Sequence, residues 1–537
     1  MKGLMMDYPL TVTSLMRHVE AQHGGSEVYS LTVENPAHRT TYAGIFRRAA
    51  KLANALRRLG LKQGDRVATM AWNDYRHMEL YYGISCMGGV LHTINPRLFP
   101  EQLQYIVNHA EDRFLFADPL LLPLLEKLHP AFPTVEAHVL LCSKEAIPKS
   151  SVPNLISYEE LIEGESDSCD WPDLDENLAS SLCYTSGTTG NPKGVLFSHR
   201  STVLHTYASA LADAISINST DSVLPVVPMF HANAWGVVYS APMVGAKLVL
   251  PGPKAGDPEA LAAMMNGERV TKALGVPTVW LGLLNYLDAT GQRLETVQDL
   301  VVGGAACPRS MMVDFAEQHG IHVVHAWGMT EMSPLGSVNA PTASTAGMDA
   351  EAKLQQRLSQ GRAPYGVEMR LADDDGGELP RDGRAVGRLQ VRGPWVANRY
   401  YRAEESALED GWFDTGDVAS IDPEGFMRIT DRTKDLIKSG GEWISSIELE
   451  DVAMAHPAVA EAAVIAMPHA KWSERPLLIV CLKEDAAVDA DALLAWFEGK
   501  VAKWWIPDAV EFTDELPHTA TGKVSKLKLR ERFAAAA

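Results

Sequence analysis

At 537 residues, with 46% hydrophobic and 22% charged residues, the chain has a globular composition and is too long for one ordinary core. A formal net charge of −20 repels polyanions and excludes nucleic acid and anionic membranes as main partners. Cys86, Cys142, Cys169, Cys183, Cys307 and Cys481 stand singly, without the paired spacing of a zinc, dithiol or disulfide site, and the opening residues carry no secretory pattern. A reduced, cytoplasmic setting is therefore expected.

Short apolar strands alternate with helical patterns along the chain, which predicts an α/β fold. Residues 65–71 read as a strand and 75–87 as the helix after it. A strand over 179–184 leads into a run of hydroxyls and glycines: Thr185, Ser186, Gly187, Thr188, Thr189 and Gly190, then Lys193 and Gly194. Glycines let backbone approach a phosphate, and the N–H groups, hydroxyls and Lys193 can donate to it. Gly194 follows Lys193 where the common P-loop has Ser or Thr, so the spacing is a different one. Taken alone, the run also fits a plain glycine-rich turn between strands. Residues 223–227, 247–250 and 300–302 are further buried strands, each ending in Gly or Pro. The stretch 274–287 is the most apolar, but it is short and contains Pro277, so it cannot span a bilayer.

A domain boundary is expected near residues 431–435, after a strand over 425–429. Beyond it lie strands over 461–466 and 477–482 and helices over 490–501 and 526–533, a pattern that suits a small separate module. A charged, exposed link between two such units is where a hinge acts.

Five motifs in order carry a family resemblance over nearly the whole chain. They are residues 184–194, His325-Ala326-Trp327-Gly328-Met329-Thr330-Glu331, Phe413-Asp414-Thr415-Gly416-Asp417, residues 431–442 and Thr521-Gly522-Lys523. They resemble the signature motifs of the adenylate-forming superfamily, which includes acyl-CoA synthetases, luciferases and peptide-synthetase adenylation domains. The resemblance implies a large multi-sheet N-terminal domain over 1–431 that binds ATP and an acid. It also implies a small, mobile α+β C-terminal domain over 432–537 carrying a catalytic lysine, with a hinge at 431–435. Implied cofactors are ATP, Mg²⁺ and coenzyme A. Dimers are common among the nearest members, so a homodimer is the assembly to look for.

The first implied reaction is attack of a carboxylate on the α-phosphate of ATP, which needs positive charge and donors around the phosphates more than a base. The resemblance assigns Mg²⁺ to Thr185 and Glu331, and α-phosphate contact to Thr330. Glu331 alone would also fit a helix-start carboxylate satisfying backbone N–H groups. Asp417 would accept from the ribose hydroxyls with its two oxygens. Adenine would lie against Gly304, Ala305 and Ala306 near Trp327, with His325, Ala326, Gly328, Met329, Ile429 and Arg432 completing the nucleotide site. Lys523, read without the family, is a solvated lysine; with it, Lys523 bridges the carboxylate and the α-phosphate. In relatives the small domain then rotates about Lys434 and presents Lys438, Gly440, Gly441, Glu442 and Trp443 to the CoA thiol, where glycines leave room for a pantetheine arm.

The acyl site implied is His231, Trp235, Val302, Gly303, Met332 and Pro334. No Arg or Lys stands among them, so the acid should have an uncharged tail. The stretch 92–103 continuing into 108–114 is most similar to bacterial 3-methylmercaptopropionyl-CoA ligases, which act in dimethylsulfoniopropionate demethylation. Medium- and long-chain fatty acyl-CoA synthetases share almost the same framework. One methylene or one sulfur changes pocket binding by only ~1–3 kcal/mol. The expected acid is 3-methylmercaptopropionate, with fatty acids as the alternative. The rival from another class, a nucleotide sensor without catalysis, predicts loss of Lys523, Glu331 or Thr330, and all three are present.

Overall fold

The computed structural model describes every residue except 2, 186–190, 433, 440–441, 470, 485, 520–523 and 535–537, with backbone alone for 442, 443 and 534. Two predominantly parallel sheets dominate the first two-thirds of the chain. One runs in the order Leu155–Ser157, Ala137–Leu140, Phe114–Ala117, Arg66–Met70, Val90–Thr93, Ala179–Tyr184, Gly194–Ser198. The other runs Leu335–Val338, His322–Gly328, Asp299–Val302, Lys272–Gly275, Ser222–Pro225, Lys247–Leu250, Glu27–Ser30, His38–Thr41. The strand predicted at 179–184 is observed with those bounds, and those at 65–71, 223–227, 247–250 and 300–302 lie within two residues of expectation.

Helices Val12–His23, Tyr42–Arg58, Tyr75–Ser85 and Val237–Val244 share one core with strand residues of both sheets, such as Val67 and Phe116 of one and Val223 and Leu274 of the other. All eleven residues of Tyr75–Ser85 are buried, which explains why that helix shows no polar face. Its one buried carboxylate within this core, Glu79, accepts from Arg48 Nε and from Tyr158 Oη, both at 2.7 Å. A buried charge is tolerated only with such partners. The expected helix over 75–87 stops at Ser85, since Gly88 takes a left-handed φ of 81°. The apolar stretch near 274–287 forms the packed helix Pro277–Thr290, and no described helix is long and apolar enough to cross a membrane.

Asn73 fastens the two sheets together. Its amide donates to Pro225 O at 2.8 Å and Val227 O at 2.9 Å, and its carbonyl accepts from Met229 N at 2.7 Å. This fixes the path of the segment that delivers His231 and Trp235.

A third sheet of five strands includes Gly387–Arg392, Trp412–Ile421 and Met427–Arg432. The last of these, expected over 425–429, begins later because Asp422 and Phe426 close a turn in which Gly425 has φ 90°. After a turn containing Lys434, a fourth sheet joins Ile437–Ser439, Glu442–Ile444, Val459–His469, Ser473–Leu482 and Ala509–Phe512 around its own core. The helix expected over 490–501 ends at Trp496, and Gly499 then adopts φ 74°. Helix Lys526–Ala534 is close to expectation.

Candidate nucleotide and acyl site

Three chain segments meet where the parallel strands end. Strands Ala179–Tyr184 and Gly194–Ser198 form an antiparallel hairpin pair, and the glycine-hydroxyl stretch connects them in sequence. Thr185 N donates to Lys193 O at 2.9 Å and closes the hairpin. The expected phosphate contacts Ser186, Gly187, Thr188, Thr189 and Gly190 lie outside the described residues.

Strand His322–Gly328 runs directly into a single 3-10 turn, Thr330–Met332. The turn fits only because the motif has Gly328: a Cβ there would sit 1.9 Å from Pro334 O. The register of this strand with Leu335–Val338 also shifts between Trp327 and Gly328. The turn buries Thr330, Glu331 and Met332. Burial pushes the Glu331 carboxyl above its ordinary pKa, and the hydroxyl of Tyr400, 2.8 Å from Oε1, acts in the opposite direction. His325 is buried with Nδ1 3.1 Å from Leu358 O, and burial lowers its pKa to about 4, so it is neutral near pH 7.

Asp417 is 3% exposed. Its Oδ2 accepts from Trp327 Nε1 at 2.9 Å and its Oδ1 faces Arg432 Nε at 3.0 Å. This brings together Trp327, Asp417 and Arg432, which the sequence placed in one nucleotide site. Ile429 lies three positions before Arg432 on the same strand, its N–H bonded to Gln360. Gly304, Ala305 and Ala306 form the loop after strand Asp299–Val302, beside His322–Gly328 in the sheet.

Among the residues expected to receive the acid, Trp235 packs against Gly303. A Cβ on Gly303 would meet the indole Cη2 at 2.9 Å and Ala326 O at 3.3 Å. Val302, Met332 and Pro334 are buried, while His231 and Trp235 are half-buried. Trp235 sits on backbone that the sequence did not foretell. Ala232, Asn233, Ala234 and Trp235 all have left-handed φ, at 43°, 56°, 48° and 55°, followed by Gly236 at 80°. Each non-glycine residue there costs about 1–2 kcal/mol, and the surroundings hold the turn in place. Asn233 accepts from Tyr81 Oη at 3.1 Å and donates to Ser181 Oγ at 3.2 Å. His205 fills the space a Gly236 side chain would need, 2.5 Å from the Cβ position.

Of the expected thiol face, Lys438 is exposed, with its N–H bonded to Glu474 at 2.7 Å. Glu442 and Trp443 lie on the partner strand of Ile437–Ser439. Gly440, Gly441 and the expected catalytic Lys523 lie outside the described residues. Lys434 occupies the turn between the third and fourth sheets.

Sequence reasoning missed Tyr400, which touches two of the motifs, and the His109–Tyr184 hydrogen bond of 2.6 Å that braces the strand leading into the hairpin. An aromatic pair after Pro394-Trp395 was the only signal, and it has no periodic or spaced signature.

For a metal, no group of three or more His, Cys, Asp or Glu side chains gathers among the described residues. Mg²⁺ does not need one, since one or two carboxylates plus phosphate oxygens suffice. A buried carboxylate with one oxygen held by Tyr400, beside a hairpin that carries Thr185, is a donor set of that kind.

A two-part strand-and-turn nucleotide site followed by a small separate sheet defines the class. The AMP-binding enzyme family matches residues 16–401, its C-terminal domain matches 448–523, and this chain belongs to that family. It is 53% identical over 534 residues to a 3-methylmercaptopropionyl-CoA ligase of Ruegeria pomeroyi, covering 99% of each chain. It is 51% identical to a medium-chain-fatty-acid–CoA ligase of Ectopseudomonas oleovorans, covering 99% of this chain and 98% of that one. Among solved structures, an anthranilate CoA ligase in complex with anthranoyl-AMP superposes with a TM-score of 0.88 at 26% identity, covering 99% of each chain.

Proposed function

We propose that the chain joins a carboxylic acid to coenzyme A in two steps: ATP and acid give acyl-AMP and pyrophosphate, then CoA gives the thioester and AMP. The observation that carries the reading is the Trp327–Asp417–Arg432 cluster next to the buried Glu331, which gathers three of the five motifs at one place.

In this reading Asp417 keeps lone pairs for the ribose while Trp327 and Arg432 fix its orientation. Lys193 and the hairpin donors bind the phosphates, and Thr330 faces the α-phosphate. Glu331 and Thr185 would hold Mg²⁺, which when bound neutralises charge on the phosphate oxygens. His231 and the Trp235–Gly303 wall receive the acid, and the apolar lining excludes water from the acyl-AMP. Lys523, on the small domain, supplies the positive charge between carboxylate and α-phosphate. The domain spanning 432–537 then turns about residues 431–435, with Lys434 at the pivot, so that Lys438 to Trp443 face the thiol. Six free cysteines fit a cytoplasmic location.

For the acid we favour 3-methylmercaptopropionate, with medium- and long-chain fatty acids as the second reading. The pocket wall of Gly303, Val302, Met332 and Pro334 offers no charged partner, which suits an uncharged tail. The test is CoA-dependent AMP release with 3-methylmercaptopropionate against saturated acids of increasing length. A kcat/KM that climbs steadily with length favours the fatty-acid reading.

A further inference from the structure

We propose that Tyr400 is a positioning residue that orients the Glu331 carboxylate toward the nucleotide's metal and docks Lys193 beside the phosphates; this rests on the reading of Glu331 as the Mg²⁺ ligand.

Tyr400 belongs to the loop after strand Gly387–Arg392. Its hydroxyl donates to Glu331 Oε1 at 2.8 Å, and the Lys193 ammonium lies 4.7 Å from the centre of its ring. The backbone around it does the same work. Ala397 N donates to Glu331 O at 2.7 Å, and Tyr401 N donates to Gly194 O at 2.7 Å. A single five-residue stretch therefore fastens the Thr330–Met332 turn to the 184–194 hairpin, and Tyr400 repeats that link with its side chain.

The ring cannot drift, because with Ala397 it packs on Cys183, Val195 and Phe197, the buried face of the hairpin strands. It also meets Phe413 edge-on, with ring centres 6.4 Å apart. A carboxylate whose one oxygen accepts from a fixed phenol has lost its freedom to rotate, and its second oxygen points in one direction. The ring face gives the Lys193 ammonium an electron-rich surface to rest on, so a long and otherwise exposed side chain starts close to its binding pose. The hydroxyl and the ring thus have separable tasks, one on the metal side and one on the phosphate side.

The experiment is calorimetric binding of ATP at a series of MgCl₂ concentrations, with pyrophosphate exchange measured in parallel. Tyr400→Phe keeps the ring and removes the hydrogen bond. The MgCl₂ needed for half-maximal nucleotide binding should rise about five- to tenfold. The half-saturation of exchange should move by the same factor, and excess MgCl₂ should restore the rate. Tyr400→Leu removes the ring as well and should further weaken ATP binding in EDTA by roughly two- to fivefold. A Tyr400→Phe protein with wild-type Mg²⁺ dependence, or a Tyr400→Leu protein that binds ATP in EDTA as Tyr400→Phe does, overturns the proposal. Glu331→Gln is the control for the parent reading. If it leaves the Mg²⁺ dependence unchanged, the metal assignment fails and the proposal falls with it. If it raises that dependence while Tyr400→Phe does not, the proposal alone fails.

Discussion

Gly303→Ala tests the acyl wall at its tightest point. The new methyl would lie 2.9 Å from Trp235 Cη2 and 3.3 Å from Ala326 O, against an ordinary contact of about 3.4–4 Å. Ala326 O belongs to strand His322–Gly328 and cannot give way, so the indole must retreat by roughly 0.5–1 Å. Its backbone resists, because residues Ala232 to Trp235 are all left-handed and Asn233 is bonded on both sides. Overpacking of this kind costs about 1–3 kcal/mol. Urea unfolding should therefore show a loss in that range. The kcat/KM for the acid should fall by about 5- to 150-fold if the strain appears fully in the acid complex. Combining Gly303→Ala with Trp235→Ala should cancel most of the penalty, since the methyl then keeps only the milder 3.3 Å approach to Ala326 O. Strictly additive losses in the double-mutant cycle would refute the contact and with it the proposed acyl wall.

Three further outcomes test the proposed roles and the fold. Lys523→Ala should lower acyl-AMP formation by ~10²–10³ while sparing thioester formation from supplied acyl-AMP, and equal losses in both half-reactions would remove Lys523 from its role. Lys434→Pro should slow the CoA step relative to adenylation, read by single-turnover kinetics of each half-reaction, and unchanged CoA-step kinetics would dismiss the hinge. His205 is buried with its Nε2 accepting from Leu335 N at 3.2 Å, and burial lowers its pKa to about 3. The unfolded chain takes up this proton below about pH 6.5 while the folded chain does not, so the stability His205 contributes is complete at pH 7 and is lost as pH falls toward 3. At pH 5 the loss is about 2 kcal/mol, and His205→Gln should shrink the fall in unfolding free energy between pH 7 and pH 5 by that order. An unchanged pH slope would show that His205 is not held neutral.

The parts legible in the sequence are those whose physics is local. Residues 179–184 are a short strand run that leads straight into the hydroxyl-glycine stretch, Gly328 sits where a strand ends in a turn, and Asp417 follows Gly416, a glycine with left-handed φ inside a strand. The residues proposed for the acyl wall were named from the sequence, but the geometry of that segment was not legible there. Nothing in Ala232-Asn233-Ala234-Trp235 announces four consecutive left-handed residues, because their stability comes from Tyr81, Ser181 and His205, far away in the chain. Tyr400 was invisible for the same reason: its partners Glu331 and Lys193 lie 69 and 207 positions distant. The helix expected to reach residue 501 stopped at Trp496 because apolar periodicity outlasted the hydrogen bonding, and Gly499 turned the chain.

The central claim is most directly tested by release of AMP that depends on CoA, measured with ATP and MgCl₂ across 3-methylmercaptopropionate and saturated acids from propionate upward. AMP and acyl-CoA should appear in equal amounts with no ADP, and kcat/KM for 3-methylmercaptopropionate should at least match that of the short and medium saturated acids. Release of ADP, or AMP release that is indifferent to CoA with every acid, would contradict it.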